Sequence, residues 1–225
     1  MLLDRLIELI APMQCVSCQA EGPAVCAWCW PDLLTPVAER CAACYKLSPD
    51  SQTCPSCRKR QSLPTHVWVR TEYDQWSKQL LHRLKFQRAY SIGALLADYI
   101  EETLPYLDPE TIVTHIPTAP KRIRTRGYDQ AQLIARAIAK KQQLRYKPLL
   151  ERQKDARQTG ASKSARQKQM EHAFRVTSRA GRFVDSPVLL VDDMYTTGAT
   201  LAGATKTLKQ AGYKKIYAAV FAQKL

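Results

Sequence analysis

The sequence lacks the features that mark several common protein classes. No apolar run approaches the ~18 residues that a membrane-spanning helix needs, and the amphipathic first ten residues carry charges, unlike a signal peptide. No G-x-x-x-x-G-K-S/T sequence is present, which argues against a P-loop nucleotide hydrolase. No G-x-G-x-x-G follows a predicted strand, which argues against a dinucleotide-binding fold. We therefore expect a cytoplasmic protein with no membrane span that is neither a P-loop nucleotide hydrolase nor a dinucleotide-binding protein.

Acidic residues are scarce in the second part of the chain. The 225 residues include 34 Lys and Arg against 20 Asp and Glu, which gives a formal net charge of +14. Residues 1–69 hold six of each sign, so residues 70–225 carry the whole excess, 28 against 14. The length suits a small module followed by one α/β domain. A basic α/β domain indicates anionic ligands, either phosphorylated small molecules or nucleic acid.

Cysteine is absent outside residues 15–57, where eight cysteines form four C-x-x-C pairs. In a cytoplasmic chain such pairs are metal ligands far more often than disulfides. Four thiolates for each Zn²⁺ give two closed structural sites. The spacing matches two consecutive zinc ribbons, but spacing alone also allows the first pair to join the third and the second to join the fourth. The predicted ligands are Cys15, Cys18, Cys26 and Cys29 in one ribbon and Cys41, Cys44, Cys54 and Cys57 in the other.

The cysteine-rich segment has little continuous apolar sequence, so we expect metal binding to supply much of its stability. Zinc ribbons either dock nucleic acids and proteins or serve only as structural appendages. Because residues 1–69 carry no net charge, we favour a structural role over direct DNA contact and keep protein docking as an alternative.

The most informative stretch is residues 188–200. The apolar run Val188–Val191 predicts a strand that is buried on both faces and stops at Asp192 and Asp193. A short loop of hydroxyl residues and glycine follows, and Leu201–Ala211 has helical character. A loop between a parallel strand and a helix lies at the carboxyl edge of the sheet, where α/β proteins bind ligands.

This order of residues suits a phosphorylated ribose. Helix-start N–H groups and threonine hydroxyls donate to phosphate, and Gly198 lets the backbone approach it. Carboxylates repel phosphate, so the two acids suit the vicinal hydroxyls of a sugar. The stretch resembles the phosphoribosyl-pyrophosphate motif of type I phosphoribosyltransferases, in which two acids hold the ribose hydroxyls and the T-T-G-x-T loop holds the 5′-phosphate. The predicted contacts are Asp192, Asp193, Thr196, Thr197, Gly198, Ala199 and Thr200.

A second, basic loop is predicted after the strand Ile112–Ile116, where Pro117 and Pro120 interrupt the pattern. At the carboxyl end of a neighbouring strand it would face the same crevice as Asp192, where a pyrophosphate needs cations. A solvated basic loop is the alternative. The predicted cations are Lys121, Arg122, Arg124 and Arg126.

The remaining pattern predicts a module over residues 1–62 and an α/β domain over residues 63–225, with the boundary in a polar run that ends at Pro64. Residues 151–169 are hydrophilic, and we expect a basic lid that closes over a multiply charged leaving group. The other predicted elements are helices over residues 2–10, 76–84, 91–104 and 133–138, and strands at residues 67–69, 174–176, 183–184 and 216–221.

Taken together, these residues resemble the ComF family of competence proteins, in which a double zinc ribbon precedes a phosphoribosyltransferase-like domain. Leu84-Lys85-Phe86, the proline-led segment Pro117–Gln130 and the segment Arg152–Phe174 resemble further motifs of that family. The chain departs from the family at three positions. Asp129 stands where the family usually has Asn, Ala161 where it often has Leu, and Gln169 where it often has Asn.

The resemblance implies a type I phosphoribosyltransferase-like parallel sheet with helices on both faces and two structural zinc ions. It also implies a role in natural transformation, with single-stranded DNA, phosphoribosyl pyrophosphate with Mg²⁺ and proteins of the DNA-uptake machinery as partners. It implies no acceptor base. The cations that we expect to contact DNA are those of the basic loop together with Arg157, Lys163 and Arg166.

An active phosphoribosyltransferase of nucleotide salvage is the alternative hypothesis, with Asp192 and Asp193 as the candidate catalytic residues. Pyrophosphate would then leave C1 of the ribose through a cationic, sugar-like transition state, and the basic loop would offset the developing charge. The basic excess and the zinc module favour the DNA-uptake factor, because a salvage enzyme needs neither. A docking scaffold with a vestigial ligand site is a third hypothesis.

Overall fold

The computed structural model describes residues 13–59, 62–86, 90–153, 173–178 and 180–224. The predicted helix over residues 2–10 lies outside the described residues, as does the predicted lid beyond Gln153 with Arg157, Lys163 and Arg166. None of the described helices has both the length and the apolar character that crossing a membrane requires.

A five-stranded parallel sheet forms the centre of the protein. In spatial order its strands are β1 (His66–Glu72), β7 (Ile216–Gln223), β6 (Val188–Tyr195), β2 (Ile112–His115) and β3 (Arg145–Tyr146). All of β2 and the first four residues of β6 are buried, as expected for strands covered on both faces. Two short strands, β4 (Leu150–Arg152) and β5 (Phe174–Val176), form a separate antiparallel pair.

Helices cover both faces of the sheet, which confirms the predicted fold class. Leu189 and Val191 of β6 face a core that they share with α2, α3 and α5, whereas Val188 and Leu190 face a second core with α6 and the β4–β5 pair. This alternation is the two-residue period of a strand. The helices of the described residues are α1 (Pro55–Arg58), α2 (Gln75–Phe86), α3 (Tyr90–Glu101), α4 (Pro120–Arg126), α5 (Gln130–Lys141) and α6 (Ala199–Gln210).

The cysteine-rich segment packs against the first of these cores. Leu33 and Leu34 are buried in it, and Trp30 stacks on Tyr99 of α3 with ring centroids 3.8 Å apart. The indole N–H of Trp30 also donates to Glu102 at 3.0 Å. Burial against the domain therefore adds to the stability that we expected from metal.

The same segment reaches the edge strand β1 and the second core. Isolated antiparallel bridges join Pro36 to Thr71 and Gln52 to His66, so the segment covers part of an edge that would otherwise be open to pairing. On the second face, the hydroxyl of Tyr195 donates to the carbonyl of Ala42 at 2.9 Å.

Three local predictions are wrong. The basic segment after β2 is the helix α4 rather than a loop, because Pro120 suits the first turn of a helix and Gly127, with φ of 87°, ends it. Strand β6 does not stop at the two acids but continues to Tyr195, since β7 runs beside it as far as Gln223. Residues 183–184, predicted as a strand, lie instead at the end of a 3₁₀ turn over residues 180–183 and in the turn that follows it.

Candidate functional site

The eight cysteines form two groups, and within each group the four Sγ atoms all lie within 4.8 Å of one another. In a tetrahedral thiolate site with Zn–S bonds of about 2.3 Å, the sulfur atoms are about 3.8 Å apart. The Sγ atoms of Cys18 and Cys26 are 3.7 Å apart, and those of Cys44 and Cys54 are 3.6 Å apart. Each group fits one zinc ion. The groups are Cys15, Cys18, Cys26 and Cys29, and Cys41, Cys44, Cys54 and Cys57, so the pairing is consecutive and not interleaved.

The backbone favours the thiolate form that binds metal at one cysteine of each group, whereas the pKa values of Cys29 and Cys57 are raised to about 12. Burial acts to raise the pKa of the Cys15 thiol, but hydrogen bonds from the backbone, with that at Cys26 the largest, lower it to about 6. In the second group burial is likewise outweighed, and backbone hydrogen bonds led by that at Cys54 lower the pKa of Cys41 to about 7.

Strand β6 brings Asp192 and Asp193 to the carboxyl edge of the sheet, where they point to opposite sides of the strand. Asp193 is buried and forms an ion pair with Lys85 near the end of α2. Asp192 is half-buried, and its Oδ1 accepts a hydrogen bond from the backbone N–H of Asp193 at 2.9 Å. Desolvation of its carboxyl group, followed by the charge of Asp193, raises the pKa of Asp192 well above its usual value.

The loop after β6 turns at Gly198, whose φ of 72° lies in the left-handed region. A Cβ at this position would lie 2.4 Å from the hydroxyl oxygen of Tyr195, so only glycine fits. Gly198 caps α6, and the first N–H groups of that helix therefore lie at the carboxyl edge of the sheet. Thr196 and Thr197 are exposed beside them. This is a suitable site for an anion.

Asp129 fixes the segment that joins β2 to α4. It caps α5 by accepting from the N–H of Ala131 at 3.1 Å, and it accepts from the N–H and hydroxyl of Thr118 at 2.7 and 3.1 Å. A carboxylate can accept on both oxygens, whereas the Asn that is usual here in the family has one acceptor oxygen. Burial lowers the pKa of the neighbouring His115, whose Nε2 is 3.8 Å from Asp129.

A cavity of about 220 Å³ lies between the ends of β6 and β2. The helix α4 contributes Arg122 and Arg126 to its lining, and Arg126 donates to Gln130 at 2.9 Å. The guanidinium of Arg152 lies 5.4 Å from the ring centroid of Phe174. The charged residues of the described lining are Asp192, Asp193, Lys85, Arg122, Arg126 and Arg152.

The structure brings most of the predicted contacts to this cavity. Gly198 lines a small adjoining pocket together with Asp192, Thr196 and Thr200. Thr197, Ala199, Lys121 and Arg124 are described but lie outside both linings, and all but Ala199 are exposed. The predicted residues in the cavity lining are Asp192, Asp193, Thr196, Thr200, Arg122 and Arg126.

Sequence reasoning misses four polar residues of the lining, Lys85, Thr118, Gln130 and Arg152. Lys85 lies in the triplet Leu84-Lys85-Phe86, which the family resemblance singles out without assigning it a role. Arg152 falls at the start of the predicted lid, but it lies in β4. Both come from elements distant in sequence, so only the fold places them beside the acids of β6.

Comparison with known proteins accounts for both parts of the chain. Residues 123–225 match the family model of the phosphoribosyl transferase domain. Over 181 residues the chain is 30% identical to competence protein ComFC of Streptococcus pneumoniae, a match that covers 79% of this chain and 78% of that protein. The chain belongs to the ComF family of competence proteins. Two further ComF-family relatives match nearly all of it.

These relatives match a larger share of the chain. Competence protein F of Haemophilus influenzae is 25% identical over 217 residues, covering 90% of this chain and 93% of that protein. Competence protein ComFC of Bacillus subtilis is 28% identical over 221 residues, covering 88% of this chain and 89% of that protein.

Proposed function

We propose that this ComF-family chain binds phosphoribosyl pyrophosphate with Mg²⁺ in the cavity between β6 and α4. The observation that carries the proposal is the lining itself, in which two adjacent acids and four cations lie beside a glycine turn at the start of a helix. The match to phosphoribosyl transferase domains supports it.

Each part of the ligand has a matching group in the chain. The loop Thr196–Thr200 binds the 5′-phosphate, and Asp192 and Asp193 orient the ribose hydroxyls. Arg122, Arg126 and Arg152 line the same cavity and would bind the pyrophosphate. Mg²⁺ prefers oxygen ligands and retains waters, so pyrophosphate and ribose oxygens would hold it next to the half-buried Asp192 and it would offset the phosphate charge.

Calorimetry with phosphoribosyl pyrophosphate and Mg²⁺ tests this assignment. Asp192→Ala, Asp193→Ala and Thr197→Ala should each weaken binding by about 1.5–3 kcal/mol, because each removes a hydrogen bond to a charged or ribose group. The matched control is Asp185→Ala, an exposed acid outside the described lining, and it should bind like the parent. Unchanged affinity in Asp192→Ala would show that the ribose assignment is wrong.

We further propose that the chain acts in natural transformation by handling incoming single-stranded DNA on the cytoplasmic side, with proteins of the uptake machinery as partners. Three relatives named as competence proteins support this. So does the charge of α4, where Lys121 and Arg124 are exposed beside the two arginines of the cavity. These groups, with Arg157, Lys163 and Arg166, are the proposed DNA contacts.

The DNA proposal predicts salt dependence and competition. The slope of log affinity against log salt should be about −0.7 for each phosphate neutralised, with little sequence preference. Phosphoribosyl pyrophosphate with Mg²⁺ should compete with DNA, because both ligands use Arg122 and Arg126. Independent binding, together with DNA affinity that survives neutralising both arginines, would move the DNA site away from α4.

Active transfer is the second candidate function, and the raised pKa of Asp192 favours it. A carboxylate with a raised pKa accepts a proton more readily, whereas Asp193 is engaged by Lys85 and is better suited to orientation. The test is release of pyrophosphate from phosphoribosyl pyrophosphate and Mg²⁺ in the presence of free bases or nucleic acid. No release with any acceptor would leave a binding function alone.

We also propose that residues 1–62 form the zinc module and residues 63–225 the phosphoribosyltransferase-like domain. The two groups of four cysteines support this division. Metal analysis should find two zinc ions per chain, and Cys18→Ala should lose one of them. Fewer than one zinc ion in metal-replete protein would contradict the ribbon assignment.

A further inference from the structure

Two exposed aromatic side chains lie beside the proposed phosphoribosyl cavity. Phe86, the last residue of α2, is 64% exposed, and Tyr90, the first residue of α3, is 40% exposed. Phe86 directly follows Lys85, which lines the cavity. The ring of Tyr90 lies 4.6 Å from that of Tyr128, two residues after Arg126.

Arg126 connects these rings to the cavity. Its guanidinium lies 5.4 Å from the centroid of the Phe86 ring, and it donates to Gln130, which also lines the cavity. The hydroxyl of Tyr90 lies 3.7 Å from the point where a Cβ of Gly127, the next residue, would be. Phe86 and Tyr90 therefore flank the end of α4 at the rim of the cavity.

The surrounding charge indicates what would cover these rings. Arg122 and Arg126 make this rim basic, whereas Lys85 is paired with Asp193. Cations beside exposed rings suit a single nucleic-acid strand, because its bases stack on the rings while its phosphates meet the cations. Tyr106 is a contrasting case, since it is 88% exposed but shares a cleft at the amino edge of the sheet with Glu102 and Asp108. Acids at that edge would repel a phosphate backbone.

We propose that Phe86 and Tyr90 form the surface on which an unpaired base of single-stranded DNA stacks, while Arg126 contacts an adjoining phosphate. The proposal rests on the DNA-handling function above and adds the residues that recognise an unpaired base. The same rim then distinguishes single strands from duplexes, whose bases are stacked internally.

Fluorescence anisotropy with the zinc-loaded full chain tests the proposal. The probes are an oligothymidylate and an abasic oligonucleotide of equal length and charge. Phe86→Ala should weaken binding of oligothymidylate at least about fivefold, because stacking on one ring is lost, and Phe86→Trp should retain it. Tyr106→Ala is the matched control for an exposed ring, and its affinity should not change.

The abasic probe separates stacking from charge. If Phe86 acts only by holding Arg126 in place, Phe86→Ala weakens both probes equally and the stacking proposal is overturned. It is also overturned if the parent binds both probes alike, or if the rings bind free thymine while DNA affinity is unaffected by Phe86→Ala. Calorimetry with phosphoribosyl pyrophosphate is a separate measurement. If the cavity does not bind that ligand, the two DNA probes still test the stacking proposal.

Discussion

Asp192 and Asp193 are neighbours in sequence but have different environments. Asp193 is buried against the ammonium of Lys85, so its charge is compensated within the protein. Loss of hydration, followed by the charge of Asp193, raises the pKa of Asp192. Asp193 is therefore held in place by the fold, whereas Asp192 can be stabilised by contact with a cationic or hydroxyl ligand.

The raised pKa of Asp192 predicts that Asp192→Asn stabilises the protein at neutral pH. The unfolded chain releases this proton near the usual aspartate pKa, whereas the folded chain retains it to higher pH, so stability falls as pH rises between the two values. We expect a gain of about 1 kcal/mol at neutral pH, a typical size for such a change. The amide oxygen can still accept from the N–H of Asp193.

Thermal unfolding at several pH values checks this prediction. The gain should vanish below the pKa of the unfolded chain, where both forms are neutral, and the variant should bind phosphoribosyl pyrophosphate more weakly. A variant that is less stable than the parent at neutral pH would contradict the assigned environment of Asp192.

Lys85→Met should have the opposite effect on stability. It leaves the buried Asp193 without its cation, and breaking a buried pair in this way costs about 3 kcal/mol. Denaturant titration measures the loss. The double variant Lys85→Met with Asp193→Asn should recover part of it, and simple addition of the two single effects would show that the pair is not coupled.

At the scale of elements, the unit formed by β6, its loop and α6 depends on Gly198. Gly198→Ala should cost at least about 2 kcal/mol, because it adds a left-handed non-glycine residue and a Cβ that collides with Tyr195. The hydroxyl of Tyr195 also donates to the carbonyl of Ala42, so the second cysteine group should retain zinc less well in this variant. Denaturant titration and zinc retention are the measurements.

Gly181→Ala is the matched control for Gly198→Ala. Gly181 lies in the 3₁₀ turn over residues 180–183, and an added Cβ there would meet nothing within 4 Å. The free energy of unfolding of the Gly181→Ala variant should match that of the parent within about 0.5 kcal/mol. Equal losses at both glycines would mean that neither the close approach to Tyr195 nor the left-handed backbone matters.

Elements with strong local patterns could be predicted from the sequence. The helices α2 and α5 and the buried strands β2 and β7 follow directly from apolar periodicity and lie where expected. The strand β3, with two residues, has too little pattern to detect, and it exists because it pairs with β2. The sequence of α4 predicts a loop because it has no apolar stripe, although its proline and glycine are signals for the ends of a helix.

The candidate site could be predicted only in part, for a similar reason. Its acids and threonines are adjacent in sequence, so their motif is visible as a single pattern. Lys85 and Arg152 reach the cavity from elements that lie on opposite sides of β2 in the sequence. No local pattern encodes such long-range contacts, which depend on the crossovers of the parallel sheet.

At the scale of the whole molecule, the cysteine-rich segment and the α/β domain share buried cores. Chelation of zinc should therefore lower the melting temperature of the entire chain by about 10 °C, not only unfold the segment. Loss of Leu33 and Leu34 from the core alone lowers the free energy of unfolding by about 3–6 kcal/mol. Each kcal/mol lowers the melting temperature of a chain of this size by about 2–4 °C. Calorimetry with and without a chelator measures the shift.

The comparison variant for chelation is Trp30→Ala, which keeps all eight thiols but removes the stack on Tyr99. It should bind two zinc ions and still lower the melting temperature of the α/β domain. Two separate transitions in the parent, one sensitive to chelator and one not, would show that the shared cores do not couple the two parts.

The inner position of β7 affects how this protein is made. The strand β1 pairs with β7, and β7 is synthesised roughly 150 residues after β1, which takes about 8–30 s at ribosomal speed. During that interval the cysteines have left the ribosome, while β7, which helps to complete both cores that bury their segment, has not yet been made. The nascent chain therefore depends on zinc before it can depend on packing. In zinc-poor cells we expect newly made chains to be degraded, while chains completed earlier persist.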